Sequence, residues 1–216
     1  LRMLYIHPDT FPMELIDLVS KRKKILPYFD IPVQHADHEI LLKMKRVGSG
    51  DIYASLFNKI REKNPDAVIR TTLMLGFPGE GREQFEELLS FIEKAEPDWM
   101  GSFLYSREED TPAYHMRNQK EHDKAQKEAK KWQKELEEKQ SEITERRLQR
   151  FVGKTYRALV EEKIEGEDLA IGRIYSEAPD VDGLTVIMGR DLKSGDVVNV
   201  GIRKVRGVDL EGIKID

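Results

Sequence analysis

Cysteine is absent from this chain of 216 residues. No disulfide framework, thiolate metal site or cysteine nucleophile can therefore come from the chain itself. Long hydrophobic runs are absent as well: no stretch approaches the roughly 20 apolar residues that cross a bilayer. No signal-peptide pattern is visible, and the chain is expected in the cytoplasm, away from membranes. Excess positive charge is missing too. A formal net charge of −4 carries no global basic signal for nucleic acid. There is no P-loop, no zinc-type His/Cys spacing and no evident nucleophile–base pair, so no catalytic and no metal-ligating residue is assigned. An initial Met is lacking, and Leu1–Ile6 already reads as a strand; the chain reads as a fragment whose N-terminal half lies elsewhere.

What is present supports a real core. Apolar residues make up 39% and charged residues 35%, enough for one domain plus a small one and a heavily solvated surface. The densest apolar run, VIRTTLML, ends abruptly in GFPGE (Val68–Glu80). β-Branched and large apolar side chains in succession predict a strand buried on both faces. The turn then breaks it, and FEELLSFIEKA opens a helix. YFDIPVQHA forms an equivalent strand ending in Gln34-His35. Further strands are expected over Arg2–Ile6, Tyr28–Val33, Ala67–Leu75 and Met100–Tyr105. Helices are expected over Met13–Lys23, Glu39–Arg46, Ile52–Lys63 (Asp51 as N-cap) and Arg82–Ala95. This alternation argues for parallel βα units. Four strands are too few for a closed eight-stranded barrel and suit the second half of an open or partial one.

From Gln119 to Arg150 the text is almost wholly charged and helix-favouring. Ala125, Ala129, Trp132, Leu136 and Ile143 form one narrow apolar stripe. A solvated helix laid against the barrel is expected; a coiled-coil partner helix is the alternative. From Phe151 onward, TYRALVEEKI, LAIGRIY, GLTVIM, DVVNVGIRKV and LEGIKI read as five short strands of a small antiparallel OB-like barrel. The domains are thus 1–118, 119–150 and 151–216.

Loops after parallel strands are where α/β folds bind ligands. Gln34 and His35 both donate and accept hydrogen bonds, which suits a nucleotide-like ligand; a satisfied strand-end histidine is the plain alternative for His35. Gly76 and Gly79 free the backbone for close approach, with Pro78 stiffening the turn. Glu80 is explained equally by the helix start. Arg70, inside an apolar run, needs a carboxylate from the protein or a ligand. YSREED (Tyr105–Asp110) follows the next strand on the same rim, and His115 and His122 are expected to be solvated.

IPVQHA, RTTLMLGFPGE and YSREEDTPA, in this order, resemble the radical S-adenosylmethionine methylthiotransferases. The tail from Phe151 is similar to the TRAM domain that ends those proteins. YSEAPDVDG (Tyr175–Gly183) resembles the branch that modifies an aspartate of ribosomal protein uS12. The resemblance implies a partial, TIM-like radical-SAM barrel followed by a TRAM barrel. It also implies S-adenosylmethionine and two 4Fe-4S clusters whose cysteine ligands lie outside this chain, which alone would be inactive. The complete protein would abstract hydrogen from an aspartate β-carbon and insert a methylthio group. By matching positions, the cofactor would contact Gln34, His35, Arg70, the Leu75-Gly76 backbone and Glu80, with Phe103 and Tyr105 flanking its adenine. The partner would be uS12 or the small ribosomal subunit. From Phe151 on there are ten bases and thirteen acids, a net charge near −3, which suits a basic ribosomal protein better than RNA. The alternatives are a tRNA-adenosine methylthiotransferase, a non-enzymatic adaptor, and an unrelated α/β enzyme with a phosphate-binding GFPGE turn.

Overall fold

The computed structural model describes residues 1–215. The chain divides into two compact units, Leu1–Gln140 and the remainder from Ser141. The division falls inside the long charged helix rather than at either of its ends.

The first unit holds a three-stranded parallel sheet in the order β1-β2-β3, with β1 at Tyr28–Asp30, β2 at Val68–Leu75 and β3 at Trp99–Leu104. Its helices are α1 (Glu14–Lys21), α2 (His38–Lys43), α3 (Gly50–Lys63), α4 (Arg82–Ala95) and the start of α5 (Gln119–Leu148). Asp37 caps α2 by accepting from Ile40 N at 2.8 Å. Ser49, rather than Asp51, caps α3, accepting from Ile52 N. In β2, Thr71, Leu73 and Leu75 are buried on one face, while Arg70, Thr72 and Met74 line the more open one.

Two strand expectations are corrected. Arg2–Ile6 supplies only an isolated parallel bridge, Met3 to Phe29. Tyr5 sits at φ 59°, which breaks an extended run. The strand expected over Tyr28–Val33 ends at Asp30. Pro32 has no N–H to give the ladder, and Val33 N turns to the Thr71 hydroxyl instead. Gln34 then rejoins, donating to Thr72 O and accepting from Met74 N.

Helix α5 lies along the first unit through its apolar stripe. Ala129 and Leu136 are buried, and Trp132 stacks on Phe85 with ring centroids 5.4 Å apart. Gln126 donates to Tyr105 O and Gln140 to Pro97 O. A 30-residue helix with mostly charged faces is stabilised chiefly by such tertiary packing.

The second unit is a closed five-stranded barrel in the order β4-β5-β6-β8-β7. Its strands are β4 (Thr155–Lys163), β5 (Leu169–Arg173), β6 (Thr185–Met188), β7 (Val197–Arg206) and β8 (Asp209–Ile215). All five expected strands are present, but the barrel is not wholly antiparallel: β6 and β8 pair in parallel. The β7–β8 hairpin brings β8 back alongside β6 in the same direction, which closes the barrel. Between β5 and β6, the buried carboxylate of Glu177 accepts from Ile174 N at 2.8 Å and lies 2.8 Å from the Thr185 hydroxyl.

Candidate functional site

A cleft of about 510 Å³ opens at the C-terminal ends of the parallel strands. That size is within the usual range for small-molecule sites. Met74 of β2, Phe103 of β3 and Phe77 of the GFPGE turn give it an apolar bed, closed by Met44 and by Pro112-Ala113. Gln34 enters from the end of β1 at φ 71°. Its Oε1 is buried and accepts no hydrogen bond among the described residues, an acceptor waiting for a donor. Lys43, Lys45 and Arg46 form a cationic lip, and no acid among the described residues lines the cleft. Arg46 is partly committed, donating to Pro32 O at 3.1 Å.

The expected site residues divide into two groups. Gln34 and Phe103 line the cleft; Phe103 is 39% exposed there. Tyr105 is buried with Ile40 and Phe77, against Met44, Met74 and Ala113. Its hydroxyl has no partner among the described residues.

The others serve the turn itself. His35 and Glu80 have fully buried side chains. Asp37 N donates to His35 Nδ1 at 3.0 Å, which leaves the proton on Nε2, 3.3 Å from Glu80 Oε1. The other Glu80 oxygen accepts from Gly76 N. These two side chains staple the end of β1 to the GFPGE turn and present nothing to the cleft. Leu75 turns its side chain to the buried face, and its carbonyl accepts from Tyr105 N. Gly76, at φ 80°, gives its carbonyl to Arg117 Nη2 at 2.6 Å. A Cβ there would stand 3.0 Å from that of Ala129, so the close approach belongs to helix α5. Gly79 likewise leaves room for Lys43.

Arg70 is tied at mid-strand, 3.3 Å from Asp30 Oδ1 and 3.2 Å from the Thr72 hydroxyl. The carboxylate it needed is the protein's own. Gly101 admits it: a Cβ there would stand 3.2 Å from the guanidinium. His122 is partly buried rather than solvated, edge-on to Tyr105 at 5.9 Å. Desolvation and the nearby Arg117 lower its pKa.

Reading missed Met44, Met74, Phe77 and the lip. The period-two alternation of β2 carried a usable signal: Arg70, Thr72 and Met74 share the open face, so Met74 and not Leu75 faces the cleft.

A parallel βα sheet with a cleft at its strand ends, in a chain that also carries a small closed barrel, is an α/β barrel segment joined to an OB-like module. The TRAM domain family matches residues 152–215. Coproporphyrinogen III oxidase (HemN) from Escherichia coli, a radical SAM enzyme, shares the fold at a TM-score of 0.53 and 13% identity, over 81% of this chain and 44% of that one.

Similarity in sequence is narrower. The ribosomal protein uS12 methylthiotransferase RimO of Treponema denticola is 38% identical over 100% of this chain and 49% of its own length. Those of Thermotoga petrophila and Carboxydothermus hydrogenoformans are 42% and 40% identical, each over 98% of this chain and 48% of their own. The chain is similar to these uS12 methylthiotransferases along nearly its whole length, and it spans about half the length of the curated relatives it matches.

Proposed function

We propose that this chain is part of a radical S-adenosylmethionine enzyme that methylthiolates an aspartate of ribosomal protein uS12 in the cytoplasm. The observation that carries the reading is the 36–42% identity to uS12 methylthiotransferases along nearly the whole chain. Residues 1–118 act as the cofactor-holding barrel segment, 119–150 as its connecting helix and 151–216 as the TRAM module.

The cleft fits the cofactor. Its apolar bed of Met74, Phe77 and Phe103 suits an adenine ring. The vacant Gln34 acceptor suits an amino group. Lys43 and Lys45 at the lip suit a carboxylate. Arg70, held by Asp30, and the His35–Glu80 staple keep this rim rigid. When bound, S-adenosylmethionine would supply the radical chemistry of the reaction, with the residues of this cleft holding and orienting it. The chain has no cysteine, and no group of three or more potential metal ligands occurs among the described residues. These residues therefore do not fit a cluster, and its ligands come from outside this chain. The TRAM module docks the protein substrate, its acidic balance matching a basic ribosomal protein.

Two titrations of the 216-residue chain test this. Calorimetry with S-adenosylmethionine should give binding that Phe103→Ala weakens about tenfold. Unchanged affinity in that variant would remove the cleft assignment. Titration with purified uS12 and, separately, tRNA at physiological salt should favour uS12; preference for tRNA would move the substrate to the nucleic-acid branch.

A further inference from the structure

The last residue of α1 and the loop that leads to β1 read Lys21-Arg22-Lys23-Lys24. All four side chains are exposed. None makes an ion pair or side-chain hydrogen bond among the described residues. One cation in the last turn of α1 is explained by the helix dipole; four in succession are not. The loop is held rather than trailing: Arg22 N donates to Val19 O and Ile25 N to Arg22 O. Arg22 and Lys23 line a cleft of about 390 Å³ whose other wall carries Lys63 and Asn64, with Asp66 the one acid among its lining residues. The loop precedes β1, and Asn64-Pro65-Asp66 precede β2. This basic face therefore lies at the N-terminal ends of the strands, opposite the candidate cofactor cleft.

We propose that this face binds the phosphate backbone of RNA, as a sequence-independent anchor separate from the TRAM module. This rests on the function proposed above and deepens it: a uS12-directed enzyme meets its substrate in or beside ribosomal RNA. A line of solvated cations flanking an open cleft matches phosphates spaced along a strand, and it works without base contacts. The effect is local, because the chain as a whole is acidic.

The test is fluorescence anisotropy of a labelled 20-nucleotide oligouridylate against the whole chain at 0.05–0.2 M salt. Four phosphate contacts give a slope of log K against log salt near −3, roughly a 50-fold loss across that range. The variant Arg22→Ala/Lys23→Ala/Lys24→Ala should lose about two units of slope and at least tenfold in affinity at 0.1 M salt. Its circular dichroism and S-adenosylmethionine binding should match the parent. Overturning results are an unchanged slope in that variant, or RNA binding abolished only by Arg203→Ala/Lys204→Ala/Arg206→Ala in the β7–β8 hairpin. Binding confined to phosphatidylserine vesicles or polyglutamate would also overturn it. Lost cofactor binding with an intact loop-dependent slope would count against the cleft alone, so the two readings fail separately.

Discussion

Replacing Glu177 by Gln should abolish a steep alkaline loss of stability in the barrel unit. Burial raises the Glu177 carboxyl from 4.5 to about 8, opposed by hydrogen bonds from Ile174 N and Thr185 and reinforced by Asp182 and Asp209. The native barrel therefore holds a proton that the unfolded chain releases above pH 4.5. A folded pKa raised in this way gives stability that is whole below about pH 4.5 and drains as pH rises through about 8. Each unit of difference corresponds to about 1.4 kcal/mol, so the full effect is on the order of 5 kcal/mol. That is a large share of a small domain's total. Both bonds run toward the carboxyl, from Ile174 N and from the Thr185 hydroxyl, each at 2.8 Å, and they only partly offset the cost of burying a charge. A Gln amide keeps an acceptor for Ile174 N and, with the Thr185 hydroxyl rotated to accept, a bond from its NH2, without a charge. Hydrogen exchange of β5 and β6 amides, taken as the ratio of variant to parent at each pH, cancels the intrinsic pH dependence of exchange. Protection in Glu177→Gln relative to the parent should rise nearly tenfold per unit from pH 5 to 8, then level off. A flat ratio from pH 5 to 9 would refute the buried, protonated carboxyl.

Other positions give separate tests. His35→Ala leaves the buried Glu80 without its ring partner and should cost about 2–4 kcal/mol in urea unfolding of the first unit; Glu80→Gln should cost less, because it keeps an acceptor for Gly76 N. Gly76→Val places a β-branched residue at φ 80° with its Cβ against Ala129. It should cost at least about 2 kcal/mol, weaken S-adenosylmethionine binding through displacement of the turn, and leave the exchange protection of the barrel unit unchanged. Trp132→Ala removes the stack on Phe85 and should cost about 3 kcal/mol, read by thermal melting at 222 nm.

Local elements were legible because local chemistry sets them. Helix α4 begins and ends where its pattern does, and all five barrel strands announce themselves by alternation between Gly and Asp turns. What escaped depends on residues far apart in sequence. The left-handed Tyr5 leaves no mark in LRMLYI. The parallel β6–β8 pair exists only because β7 intervenes. In the site, the expected contact at Leu75-Gly76 was one of backbone; which side chains of β2 face the cleft follows from its period-two alternation, and that face carries Met74.

The glycines show the limit most clearly. Gly76 and Gly79 do mark close approach, as their spacing implies. What approaches them is Ala129, 53 residues on, and Lys43, 36 residues back. A glycine in a turn records that space is occupied, and only the packing tells by what. The same holds for Glu80, which lies at the start of a helix and spends both oxygens on His35 and Gly76. The turn motif thus acts on the cleft through packing: it fixes where Phe77 and Met74 stand along its wall.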